Sequence, residues 1–146
     1  MNIEIIKISS NSNLEQTKQF GMFLNQFLSS LKMLHWYTTN YDAHKILGND
    51  YEKLSDIFDS LQEEIIGTCQ SSNIPFPMPV SNNLNNLDYQ NIIESYKNIT
   101  DQLKNNINSL DFNNYLTNVS SGINNTKEEI LSQINKTLYL LSLVEF

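Results

Sequence analysis

The three prolines of this chain, Pro75, Pro77 and Pro79, stand on alternate positions near its middle. Each fixes φ and lacks a backbone N–H, and each pushes the residue before it towards extended backbone. No helix passes through such a stretch, so Ser71–Leu87 is expected to be an extended crossover. Elsewhere the chain holds only four glycines, too few for the many tight turns of an all-β domain. The segments on either side are free to be helical. With 146 residues, 40% of them hydrophobic and 17% charged, the chain fits one domain with a packed core and not a disordered polypeptide.

Apolar periodicity gives the helices. Phe20, Leu24, Phe27, Leu31 and Leu34 recur at three- and four-residue steps, the seam of a first helix running from Asn13 to about Tyr37. Thr38, Thr39 and Asn40 favour a turn. Asp42 is the expected N-cap of a second helix to about Cys69, with Tyr51, Leu54, Phe58, Leu61 and Ile65 as its seam. Beyond the prolines, Asp88 is expected to cap a third helix with Ile92, Tyr96, Ile99, Leu103 and Ile107 inward. Residues 110–123 read as a short helix carrying Phe112, Leu116 and Val119. Thr126 with Glu129 matches a capping box opening a fourth helix, whose seam is Ile130, Ile134, Leu138 and Leu141. Residues 1–12 alternate in part and are expected to form an extended N-terminal arm ahead of a single domain at 13–146. Two helices, a long crossover and two more helices make an all-α four-helix bundle.

Composition removes several functions. Nine lysines and no arginine face sixteen acidic residues, a net charge of −7, which disfavours binding to phosphate backbones. No phosphate-cradling glycine motif occurs. The lone Cys69 cannot form an internal disulfide and suits a reducing compartment. No apolar run approaches a membrane span and no leader-like segment opens the chain, so the expectation is a cytoplasmic protein with no membrane and no DNA partner.

The only histidines, His35 and His44, flank the first turn. Nine residues apart, they would lie about 900° apart on one straight helix, on opposite faces, and converge only if the chain bends between them. Asp59 and Glu63 stand at i and i+4 on the second helix, a spacing that can hold one hard or borderline metal ion or bridge two. Asp56 lies one turn earlier. His44 and Asp59 are separated by about 22 Å of helix, whereas metal–ligand bonds are about 2.0–2.2 Å. One chain cannot bring both pairs to the same ion; a two-fold dimer with antiparallel helices could. The in-bundle di-iron pattern of Glu three residues before His is excluded, because Lys32 and Tyr41 occupy those positions. Each residue also has a plain reading: His35 extends an apolar stripe, His44 flanks a helix start, and the acid groups form a solvated face.

Leu34-His35-Trp36, His44, and then Asp59 and Glu63 resemble the pattern of the mini-ferritins, the Dps proteins of the ferritin-like superfamily. Leu34–Thr39, Ala43–Gly48 and the closing Lys136–Leu141 are similar to a compact branch common in phage genomes. The resemblance implies a ferritin-like four-helix bundle; the long Pro-containing crossover between the second and third helices departs from the family, which has a short helix there. It implies a metal site shared across a dimer two-fold: His35 and His44 from one copy, Asp59 and Glu63 from the other, Asp56 as a weaker candidate and Trp36 beside the site. The implied chemistry is ferroxidase-type oxidation of Fe(II) by peroxide or oxygen. Homodimers, and beyond them a dodecameric shell storing ferric mineral, are the implied assemblies, in the host cytoplasm if the gene is a phage's. The histidines are closer together than in larger members of the family, and no lysine-rich DNA-binding tail is present. Two alternatives stand beside this: a non-catalytic helical bundle for protein–protein contact, in phage or host, and a structural Zn(II) or Mn(II) site.

Overall fold

The computed structural model describes the backbone of residues 2–71, 74–76, 84, 87–112 and 117–146, and the side chains of these residues other than 2–12, 71 and 117–120. Four helices account for most of it: α1 (Asn2–Tyr37), α2 (Tyr41–Ser71), α3 (Ile92–Asn108) and α4 (Thr117–Ser142). They form an all-α bundle in which α1 packs on α2 and α3, and α4 packs on α2 and α3. Among the described residues no helix is long and apolar enough to cross a membrane.

The apolar seams are the core. Phe20, Phe27, Leu31 and Leu34 of α1 are fully buried, as are Leu54, Leu61 and Ile65 of α2, and Tyr96, Leu103 and Ile107 of α3. Tyr51 and Leu138 lie at its edge, partly buried. Aromatic pairs fix the layers: Phe27 meets Phe58 edge-on at 5.7 Å, and Phe20 meets Phe76 at 5.5 Å.

Helix ends depart from expectation more than seams do. Residues 2–12 are the opening turns of α1 and not an extended arm; with no Gly or Pro before Gly21, nothing in the sequence stops the helix from reaching back. The cap of α2 is Asn40, whose side-chain oxygen accepts the N–H of Ala43 at 3.0 Å, and not Asp42. Asp88 shapes a turn ahead of α3: its carboxylate accepts the Gln90 N–H, while its backbone exchanges bonds with the Ser95 hydroxyl. Asn91 occupies the N-cap position of α3. Thr126 opens no helix, because α4 is already nine residues old there. Its hydroxyl bonds back to the Gly122 carbonyl and to the Glu64 carboxylate on α2.

Between α2 and α3 the described residues climb beside α1. The Ile74 carbonyl accepts a bond from Asn13, the Leu84 carbonyl one from Ser30, and the Tyr89 ring lies 5.3 Å from that of Tyr37. The chain thus returns to the end where α1 turns into α2, and α3 descends in the same direction as α2. Pro75 is exposed between buried Ile74 and Phe76; Pro77 and Pro79, like Leu116 and the side chain of Val119, lie outside the described residues.

Among the described residues, one acidic side chain is buried between the apolar layers. Asp50 of α2 is fully buried, and its carboxylate accepts bonds from the Tyr96 hydroxyl (2.8 Å), the Gln133 amide (2.9 Å) and the Thr137 hydroxyl (2.7 Å). These donors belong to α3 and α4, so one carboxylate ties three helices. Burial pushes its pKa above the ordinary 3.8, with Thr137, Gln133, Tyr96 and the nearby Lys53 charge opposing. Between the unfolded and folded values the native chain holds a proton that the unfolded chain has released. Stability therefore declines as pH rises through that window and levels off above it. Urea unfolding across pH 3.5–8 should show this slope in the wild type and a shallower one in Asp50→Asn, which keeps the shape and removes this group's titration.

Candidate metal centre at the first turn

The turn Thr38–Asn40 reverses the chain within three residues, setting the last turn of α1 against the first turn of α2. His35 and His44 meet there. The ring Nδ1 of His35 lies 2.6 Å from the His44 carbonyl oxygen, and the ring Nδ1 of His44 lies 2.8 Å from the His35 carbonyl oxygen. A carbonyl oxygen only accepts, so in both contacts Nδ1 carries the hydrogen. Each neutral imidazole is thereby fixed in its Nδ1–H tautomer, leaving a lone pair on Nε2, the atom a metal takes. Among the described residues no hydrogen bond engages either Nε2. The rings stack at 4.0 Å, 15° from parallel.

This arrangement also answers a need of the helices. The last carbonyls of an α-helix have no partner within it; here the Leu34 carbonyl takes the Thr38 N–H and the His35 carbonyl takes the His44 ring. Aromatic and basic side chains occupy the same helix ends. Trp36 is 56% exposed and Tyr41 71% exposed, and Tyr41 lies 6.4 Å from the His44 ring in a loose stack. The Lys32 ammonium sits between the Trp36 and Tyr51 rings, at 5.2 and 5.0 Å, and Lys45 lies over Tyr41. Lys32 stands where an in-bundle di-iron site would need its glutamate.

The acid groups lie elsewhere. Asp59 and Glu63 are exposed, four residues apart on α2, and no hydrogen bond or ion pair between described residues engages them. Asp56 lines a groove between α2 and α4 with Lys53, Glu128, Glu129, Ser132 and Lys136. No group of three or more His, Cys, Asp or Glu side chains converges within the chain among the described residues, so the histidine pair and the carboxylate pair are separate features of one molecule.

Glu64, unlike Glu63, turns to α4, where burial raises its pKa, the Thr126 hydroxyl partly offsets this, and Glu129 adds to it. Burial pushes the Cys69 thiol up to about 11, leaving it unreactive as a nucleophile at neutral pH. Gly48, on the turn of α2 after His44, faces His35 directly: a Cβ there would lie 2.7 Å from its Cε1.

Because the two imidazoles share a stack as well as crossed hydrogen bonds, their contributions should be coupled. His35→Ala and His44→Ala are each expected to cost about 1–2 kcal/mol in urea unfolding. The double variant should cost less than the sum; strict additivity would mean that the rings act independently.

No curated protein and no solved structure matches the chain. Residues 35–141 match a family of unknown function, DUF5856, a span that opens at His35 and takes in His44, Asp59 and Glu63. That match covers most of the chain, and the protein belongs to this family.

Proposed function

We propose that the protein is a ferritin-like, iron-handling bundle that takes Fe(II) as substrate at a site completed by a second copy. The observation that carries this reading is the crossed pair of Nδ1 bonds, which prepares two imidazole Nε2 atoms for a metal at one end of the α1–α2 face. Asp59 and Glu63 stand a helix-length away. A two-fold that lays α2 against its copy in the antiparallel sense would bring one molecule's histidines to the other's acid groups. The chain path supports the ferritin-like part: α1 and α2 antiparallel, a return along α1, and α3 running with α2.

The donor set fits the metal. Nearly parallel rings 4.0 Å apart hold their in-plane lone pairs apart, so the pair cannot converge on one ion at about 2.0–2.1 Å. Each imidazole would therefore offer its Nε2 to a separate ion. Asp59 and Glu63 of the second copy would supply the carboxylates, with Asp56 a weaker contributor from its groove. Oxidation of two Fe(II) by one peroxide removes one electron from each iron and, with two protons, yields two waters. Trp36, exposed and next to His35 in sequence, would stand beside this site. The same donors accept Zn(II) or Mn(II), and storage would further require assembly of dimers into a closed shell.

A second reading, a bundle for protein contact, has its own observation. Seven of the nine large hydrophobics exposed among the described residues gather at the turn end: Trp36, Tyr37, Tyr41, Tyr139, Leu140, Leu143 and Phe146.

Anaerobic Fe(II) loading followed by peroxide tests the iron reading. Ferric absorbance should grow faster than in a protein-free blank, and His35→Ala or Asp59→Asn should each slow it about 10-fold or more. Mixing the two variants should restore roughly a quarter of the activity, since half of the mixed dimers are hybrids and each hybrid rebuilds one of its two sites. Growth no faster than the blank in the wild type would remove iron oxidation and leave the contact reading.

A further inference from the structure

We infer that Gly48 is the positioning residue of the histidine pair: its bare backbone is the surface on which the His35 imidazole rests. Three of the ring's atoms lie over the site of the missing Cβ, at 2.7 Å for Cε1, 3.0 Å for Nδ1 and 3.5 Å for Nε2. Real Cβ atoms do not approach other heavy atoms to 2.7 Å, so any side chain at this position requires a shift. The ring has little room to shift. On one face it stacks with His44, and its Nδ1 is held at 2.6 Å to the His44 carbonyl, one turn before Gly48 on the same helix. A methyl group at position 48 therefore strikes Cε1 and crowds the adjacent Nδ1, the atom that makes the bond.

Glycine inside a helix is otherwise a cost. It lowers helix stability relative to alanine at an interior site, and Gly48 is well inside α2. Gly67, on the same helix, provides the contrast, because a Cβ there would meet nothing within 4 Å. One helix thus contains a glycine that alanine can replace without collision and another that it cannot. The difference lies wholly in His35, on the neighbouring helix. What Gly48 secures is the Nδ1–H tautomer of His35 and hence the direction of its Nε2 lone pair. The consequence for metal rests on the proposed iron site; the positioning itself does not.

Three measurements test this. Long-range 1H–15N spectra of the metal-free protein should show His35 as the Nδ1–H tautomer in the wild type and in Gly67→Ala. In Gly48→Ala it should revert to the Nε2–H form favoured by a free imidazole, with helix content unchanged. Thermal unfolding should show Gly67→Ala raising the melting temperature and Gly48→Ala lowering it. In a His35→Ala background, where the obstacle is gone, Gly48→Ala should raise it as Gly67→Ala does. Anaerobic calorimetry with Fe(II) alone should give at least 10-fold weaker binding in Gly48→Ala. An unchanged His35 tautomer in Gly48→Ala, or an equal loss of stability with and without His35, would overturn the inference. If the wild type takes up no Fe(II) while the tautomer and the double-variant melts behave as expected, the positioning role holds and the iron reading fails.

Discussion

The architecture depends on how tightly the chain reverses between α1 and α2. A three-residue turn leaves two helix ends side by side, each with backbone groups that its own helix cannot satisfy. Here the solution uses side chains that bring chemistry with them. Asn40 takes an N–H at the start of α2, and the His44 ring takes a carbonyl at the end of α1. The His35 ring reaches across to the second lone pair of the His44 carbonyl. Because each ring is anchored to the other residue's backbone, rotation of either imidazole costs a hydrogen bond and the stack together. The same bonds that close the turn set the tautomer of the pair, so the local fold and the donor chemistry cannot be varied separately.

What the sequence shows and what it hides divide along sequence distance. Seams such as Phe20–Leu34 and Ile92–Ile107 are legible because apolar spacing is repeated over several turns and each repeat adds to the signal. Caps are local patterns seen once. Thr126 followed by Glu129 has the form of a capping box, yet Thr126 is spent on Glu64, sixty-two residues away. Asp50 was indistinguishable from the solvated acids around it on α2, since charged residues are seldom buried without partners and its partners Tyr96, Gln133 and Thr137 come from two later helices. Gly48 was visible only as a member of the motif Ala43–Gly48; its reason is an imidazole on another helix. The candidate site was therefore half legible. Residue types and spacing named the histidines and the acid pair, while the groups that hold them in place needed tertiary structure.

Asp50 also explains why chemistry is sought on the outside of this bundle. A carboxylate in the interior could be the start of a buried metal site, but every described donor around Asp50 is a neutral hydroxyl or amide. Three such donors stabilise a carboxylate without supplying a cation or a second anionic ligand, and the raised pKa shows that they do not fully offset its burial. Such a network specifies geometry: α2, α3 and α4 satisfy it in one relative register. The interior is thus committed to a hydrogen-bonded tie, and the histidine and carboxylate pairs lie outside it.

A site divided between two copies changes how metal and assembly relate. In one molecule His44 and Asp59 are separated by about 22 Å of helix, so on that reading neither pair alone gives an ion its full set of donors. Association that completes the site lets metal bind the dimer more strongly than the monomer, and by linkage the same ion strengthens the dimer by the same factor. The net charge of −7 per chain works against self-association, and cations bound between the two copies would reduce that repulsion. On the proposed reading, iron is therefore substrate and adhesive at once: chelation should weaken the dimer as well as empty the site.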